Sequence, residues 1–138
     1  MSINKQGEKL AKKILRRVLG RNLFGNFLRI ANFITLPKPI ERMQADQDKI
    51  DIMTKNLSLY NFANCPFCIK VRRFMHESNI NIDILDAAND DAHKSDLLNY
   101  GGKYQAPCLR ITEPNREDEW LYESDDIISY LKELTAGN

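Results

Sequence analysis

Cysteine is scarce in this chain: three residues in 138, too few for the disulfide framework that staples small secreted domains. Histidine is scarcer, with two. A structural zinc site needs four ligands, and beyond Cys65 and Cys68 the chain offers Cys108, His76 and His93 without a second C-x-x-C pair, so no metal is expected. Long apolar runs are missing as well. Arg16, Arg17, Arg21 and Arg29 interrupt the N-terminal apolar stretch, which leaves nothing near the roughly 20 residues of a membrane-spanning helix and no secretory-signal pattern. Repeats and low-complexity tracts are absent. The 43% apolar content is enough for a packed core and argues against disorder throughout.

The near-zero net charge conceals a division. Residues 1–40 hold nine Lys and Arg against one acid, and 41–138 hold eleven against eighteen, a charge of +8 followed by −7. That reads as a basic arm seeking an anionic surface, joined to a mildly acidic globular body. Between Leu10 and Ile34 the series Leu10, Ile14, Val18, then Leu19, Leu23, Phe27, then Phe24, Leu28, Ala31 repeats at three- and four-residue steps. This spacing predicts an amphipathic basic helix, or two helices hinged near Gly20 or Gly25. Pro37 and Pro39 end it, since each lacks an N–H and pushes its predecessor out of helical geometry. Residues 1–39 are read as this extension and 40–56 as a connector with a short helix. Residues 9–36 combine an apolar face with a basic rim, the pattern of a helix lying on an anionic membrane. Packing on the protein's own domain or on a second copy is the alternative. Nucleic-acid binding is not expected, because no recognition motif accompanies the basic stretch.

From Leu57 onward, short β-rich runs alternate with helical patterns, which marks an α/β domain over 57–138. The expected elements are a strand at 57–62, a helix at 66–78, a strand at 82–86, a helix at 91–100, strands at 107–112 and 119–122, and a helix at 125–134. Ser124 suits the N-cap of the last helix, with Asp125 and Asp126 in its first turn where the helix dipole favours acids.

The chemistry concentrates in Cys65-Pro66-Phe67-Cys68. Cys65 follows a predicted strand and opens a predicted helix, among unpaired N–H groups at the positive end of the dipole, and that environment favours thiolate. Pro66 fits the first helical turn, where its missing N–H costs nothing. Cys68, about one turn later, is spaced to attack a mixed disulfide on Cys65. Cys108 is a candidate for redox involvement or for plain core packing. His76 and His93 are expected on helix surfaces, and Trp120 and Tyr122 in packing.

Cys-Pro-Phe-Cys followed by Ile69-Lys70-Val71-Arg72, then Gln105-Ala106-Pro107, then Tyr122-Glu123-Ser124-Asp125-Asp126-Ile127 resembles the glutaredoxins and the related N-terminal domain of glutathione transferases. The likeness covers about residues 57–135. It implies a thioredoxin-like βαβαββα fold with a four-stranded mixed sheet, and a cis Pro107 facing the cysteines. It also implies a glutathione site in which Pro66, Phe67, Gln105 and Pro107 contribute, the backbone of Ala106 pairs with the cysteine part of the tripeptide, and Glu123 with Ser124 holds its γ-glutamyl end. For Ser124 simple capping is the alternative. The chain departs from the family pattern at Phe62-Ala63-Asn64 before the first cysteine, so the partner of the glycine carboxylate is open, with Lys103 and Gln105 as candidates.

The function so implied is a glutathione-dependent thiol-disulfide oxidoreductase, an electron-transfer enzyme with Cys65 as nucleophile and Cys68 as resolving thiol. Glutathione would be reductant and co-substrate, and glutathionylated or disulfide-bonded proteins the partners. The alternative is a glutathione and iron–sulfur cluster binding module, which the second cysteine disfavours. With four residues after Leu134, transferase activity, which uses a helical second domain, is not expected. A cytoplasmic location is expected, with association to the cytoplasmic face of a membrane as an option.

Overall fold

A computed structural model describes residues 5–136; within the first helix the side chains of residues 5–10, 18, 19, 21 and 22 lie outside the described residues. The stripe positions Leu10, Val18 and Leu19 and the interleaved basic Arg21 therefore fall outside them. The chain divides into two compact units between Thr35 and Leu36.

The first unit is one helix, α1 (Lys5–Ile34), continuous through Gly20 and Gly25. Thr35 closes it by donating both its N–H and its hydroxyl to the Ala31 carbonyl, at 3.0 and 2.6 Å. Among the described residues no helix is long and apolar enough to cross a membrane.

The second unit holds α2 (Gln44–Thr54), β1 (Leu57–Asn61), α3 (Pro66–Glu77), β2 (Asp83–Asp86), α4 (Asp91–Asn99), β3 (Cys108–Ile111), β4 (Glu119–Tyr122) and α5 (Ser124–Thr135). Its four strands form one mixed sheet in the order β2-β1-β3-β4. β1 and β2 run parallel, joined through α3 as a parallel pair requires, and β3 is antiparallel to both β1 and β4. This is the thioredoxin-like arrangement, an α/β fold with helices on both faces of the sheet.

The two-residue period of the strands sorts their side chains by face. Leu57 and Leu59 of β1 and Leu109 and Ile111 of β3 enter the larger core, with Val71 and Met75 of α3 and Ile127 and Leu131 of α5. Tyr60 and Cys108 point the other way and pack with Ala87 and with Leu97 of α4. α2 does more than connect: Ile50 is completely buried in the larger core, and the Thr54 hydroxyl donates to the Ile50 and Asn81 carbonyls. The sequence conceals this because α2 is polar around most of its circumference. α4 starts on a regular cap, with the Asp90 carboxylate accepting from the N–H groups of Ala92 and His93 at 2.9 and 3.3 Å.

Both histidines are half-buried and not on open helix surface. His76 Nε2 is hydrogen-bonded to the Pro37 carbonyl at 3.0 Å, where the incoming chain passes over α3, and the His93 ring meets Tyr60 edge-on.

Candidate active site

α3 begins where the C-terminal end of β1 turns out of the sheet. Cys65 is its N-cap and Pro66 stands in its first turn. The Cys65 N–H donates to the Phe62 carbonyl at 3.2 Å. Arg72, one α3 turn past Cys68, donates to the Ala63 carbonyl at 3.0 Å, so the helix itself ties down the loop that presents the first cysteine. Sequence reasoning named Arg72 only within the Ile69-Lys70-Val71-Arg72 run of the family likeness and gave it no role.

The two cysteines occupy different environments. Cys65 is partly accessible, and its sulfur is 3.9 Å from the Ala106 carbonyl oxygen. Cys68 is completely buried, and the Phe62 N–H donates to its sulfur at 3.4 Å. Burial is the largest influence on that thiol and pushes it up to about 12; the Phe62 N–H pulls the other way and the adjoining Cys65 adds to the rise. Near neutral pH Cys68 is therefore a thiol.

Opposite the cysteines the Ala106–Pro107 peptide bond is cis. Phe67, Gln105, Ala106, Pro107, Glu123 and Ser124 line one pocket of about 260 Å³. These segments are far apart in sequence, and the sheet joins them: β3 follows Pro107 directly, and β4, paired antiparallel to it, ends beside Cys108 and delivers Glu123. Pro66 is not among the residues lining this pocket. Gln105 Nε2 donates to Glu123 Oε1 at 3.1 Å, which links two walls. Lys70 of α3 is ion-paired with Asp125 of α5 on the outer side.

One local expectation is corrected. Ser124 is the first helical residue of α5, and the N-cap is Glu123, whose side chain makes no capping bond. Glu123 has φ of 69°, a left-handed conformation uncommon for a non-glycine residue. The geometry turns its carboxylate toward Gln105 and leaves the buried Ser124 in the first turn, beside amides that no side chain caps.

Of the two candidates for the glycine carboxylate, Lys103 has its ammonium 4.3 Å from the centre of the Tyr122 ring, and Gln105 is engaged with Glu123. The Tyr122 hydroxyl donates to the Gly101 and Lys103 carbonyls, at 3.1 Å in each case. Cys108, next to Pro107, is fully buried with Tyr60 and Leu97, and burial raises its thiol to about 11. It is a core residue held in its neutral form.

The family model for the N-terminal domain of glutathione S-transferase matches residues 59–138. Glutaredoxin 2 from Escherichia coli (strain K12) and from Escherichia coli O157:H7 are each 30% identical to the chain over 78 residues, covering 56% of this chain and 34% of the relative. The matched portion thus spans about a third of the curated relatives' length. No solved structure matches.

Proposed function

The chain belongs to the glutathione S-transferase N-terminal domain family, and we propose that within it the protein is a glutathione-dependent thiol-disulfide oxidoreductase that reduces mixed and protein disulfides through Cys65 and Cys68. The observation that carries this reading is the placement of an accessible Cys65 at the N-terminus of α3, 3.9 Å from the Ala106 carbonyl and next to the pocket of Ala106, Glu123 and Ser124.

The chemistry follows thiol-disulfide exchange. The accessible Cys65, as its thiolate, attacks the glutathione sulfur of a glutathionylated protein. An S–S bond forms between Cys65 and glutathione, and the protein leaves as a thiolate that takes a proton from water. A second glutathione thiolate then attacks the glutathionyl sulfur, which releases oxidised glutathione and restores Cys65. With a protein disulfide, Cys65 forms the mixed disulfide and Cys68, after losing its proton, attacks the Cys65 sulfur. The substrate leaves reduced, and two glutathiones reduce the resulting Cys65–Cys68 bond.

In this reading the Ala106 backbone pairs with the cysteine part of glutathione. Glu123 accepts from the γ-glutamyl ammonium, and the first turn of α5 with Ser124 holds the α-carboxylate. The apolar floor comes from Phe67 and Pro107. The protein works in the cytoplasm, and residues 9–36 associate peripherally with an anionic membrane, a role suited to the exposed Lys12, Lys13, Arg16 and Arg17. Turnover of a glutathionylated peptide with glutathione, beside a thioredoxin-reductase-coupled assay, tests the proposal: activity with glutathione supports it, and activity with the reductase alone overturns it.

A further inference from the structure

From residue 9 to residue 40 the chain contains no Asp or Glu, and α1 exposes large apolar side chains along its length, among them Ile14 (55%), Phe27 (66%) and Ile34 (74%). An interfacial helix buries one apolar face. α1 has two, on opposite sides. Residues eighteen apart are about five turns apart at 3.6 residues per turn and so share a direction. By that measure Lys12 aligns with Ile30, Lys13 with Ala31 and Arg16 with Ile34, while Ala11 aligns with Arg29 and Ile14 with Asn32. Among the described side chains, Leu15 and Phe33 are the one apolar pair. The basic side of the first half is thus continued by the apolar side of the second, and taken whole the helix has almost no amphipathic direction.

The exchange of sides falls at Gly20. A Cβ there would meet nothing within 4 Å, and no left-handed φ calls for glycine. Neither packing nor turn geometry accounts for a residue that weakens a helix interior. Its distinctive property at this position is backbone freedom, located where a rotation of about half a turn would bring both apolar faces to one side.

We infer that α1 seats on an anionic lipid surface as two half-helices turned about Gly20, with Ile14 and Leu15 of the first and Phe27, Ile30 and Ile34 of the second entering the same lipid layer. This rests on the membrane reading proposed above and specifies its contact surface. Lys12 and Arg17 border the first apolar face, where long basic side chains reach lipid phosphates with their stems buried. A helix about 10 Å across also keeps Lys13 and Arg16 within a Debye length of the surface. Charge selects the partner: every ionisable group from residue 9 to residue 40 is cationic, and anionic lipid supplies the opposite sign.

The test uses the full-length protein, sedimented with phosphatidylcholine vesicles that contain or lack phosphatidylglycerol. The parent should bind the anionic vesicles. Ile14→Ser and Phe27→Ser should each weaken binding about tenfold or more, since each removes a buried apolar side chain. Gly20→Ala, which favours the straight helix and meets no neighbour, should weaken it about fivefold, the factor corresponding to glycine's helix penalty. Loss confined to one serine variant, or full binding by Gly20→Ala, overturns the two-face seat and leaves a single-face tether. A parent that stays in the supernatant at low salt overturns the membrane reading itself, and the inference with it.

Discussion

The sulfur of Cys65 lies 3.9 Å from the carbonyl oxygen of Ala106, across a gap bounded by two separate parts of the fold. One side is the first turn of α3, and the other is the segment entering β3. In the proposed reading, a glutathionyl group bonded to Cys65 would have its own backbone beside that of Ala106, so attack and recognition would face each other across this gap.

The contrast between the two cysteines predicts selective alkylation. At neutral pH iodoacetamide should modify Cys65 in the folded, reduced protein. Cys68, fully buried with its thiol pushed up to about 12, and Cys108, at about 11, should react only on unfolding. Peptide mapping after timed alkylation checks this, and equal labelling of Cys65 and Cys68 would contradict the asymmetry.

The same thiols predict a loss of stability in alkali. Folded Cys68 and Cys108 hold their protons more tightly than ordinary thiols near 9. Their contribution is therefore fully present below about 9 and is lost as pH rises toward 11 and 12, because the unfolded chain ionises first. Urea unfolding of the reduced protein should show stability falling above pH 9, by on the order of 1 kcal/mol per pH unit for each group. Cys108→Ala should flatten that slope; an unchanged slope counts against a proton-holding Cys108.

Glu123→Ala should raise the apparent KM for glutathione and leave kcat for the chemical step largely intact, since the proposed role is to bind the γ-glutamyl end. The Glu123 side chain makes no capping bond, so thermal unfolding should move little. Ser124→Ala should act in the same direction. Unchanged glutathione dependence in both folded variants would remove these residues from the site.

Gly101→Ala predicts a packing defect that reaches the pocket indirectly. A methyl group there would collide with the Tyr122 hydroxyl and lie 2.8 Å from the Leu97 carbonyl, which is backbone at the end of α4 and cannot swing aside. A cost of about 1–3 kcal/mol is expected, read as a lowered urea midpoint. A neutral substitution would mean that the loop before Gln105 yields more easily than its contacts indicate.

Much of this was readable from residue order because local and global preferences agree. The run from Leu57 to Cys68 places an apolar strand before a proline-started helix, and both form where expected, with Cys65 at their junction and Cys68 in the first turn of the helix. The pocket was readable only through family likeness, because 67, 105–107 and 123–124 meet through antiparallel pairing of β3 with β4, and such long-range register leaves no periodic trace in sequence. Ser124 misled as a cap because its residue type suits the N-cap, whereas the left-handed turn at Glu123 shifts the helix start by one residue. Ile50 was hidden by the polar surface of α2. In α1 the three- and four-residue steps pointed to helix correctly, but chaining them concealed that the apolar side changes at Gly20.

The most direct measurement is turnover of a glutathionylated peptide by glutathione with Cys65→Ser and Cys68→Ser side by side. Cys65→Ser should fall to the uncatalysed rate. Cys68→Ser should keep much of this activity, because deglutathionylation needs one attacking thiolate, while losing protein-disulfide reduction. An active Cys65→Ser variant beside an inactive Cys68→Ser would reverse the roles and contradict the account.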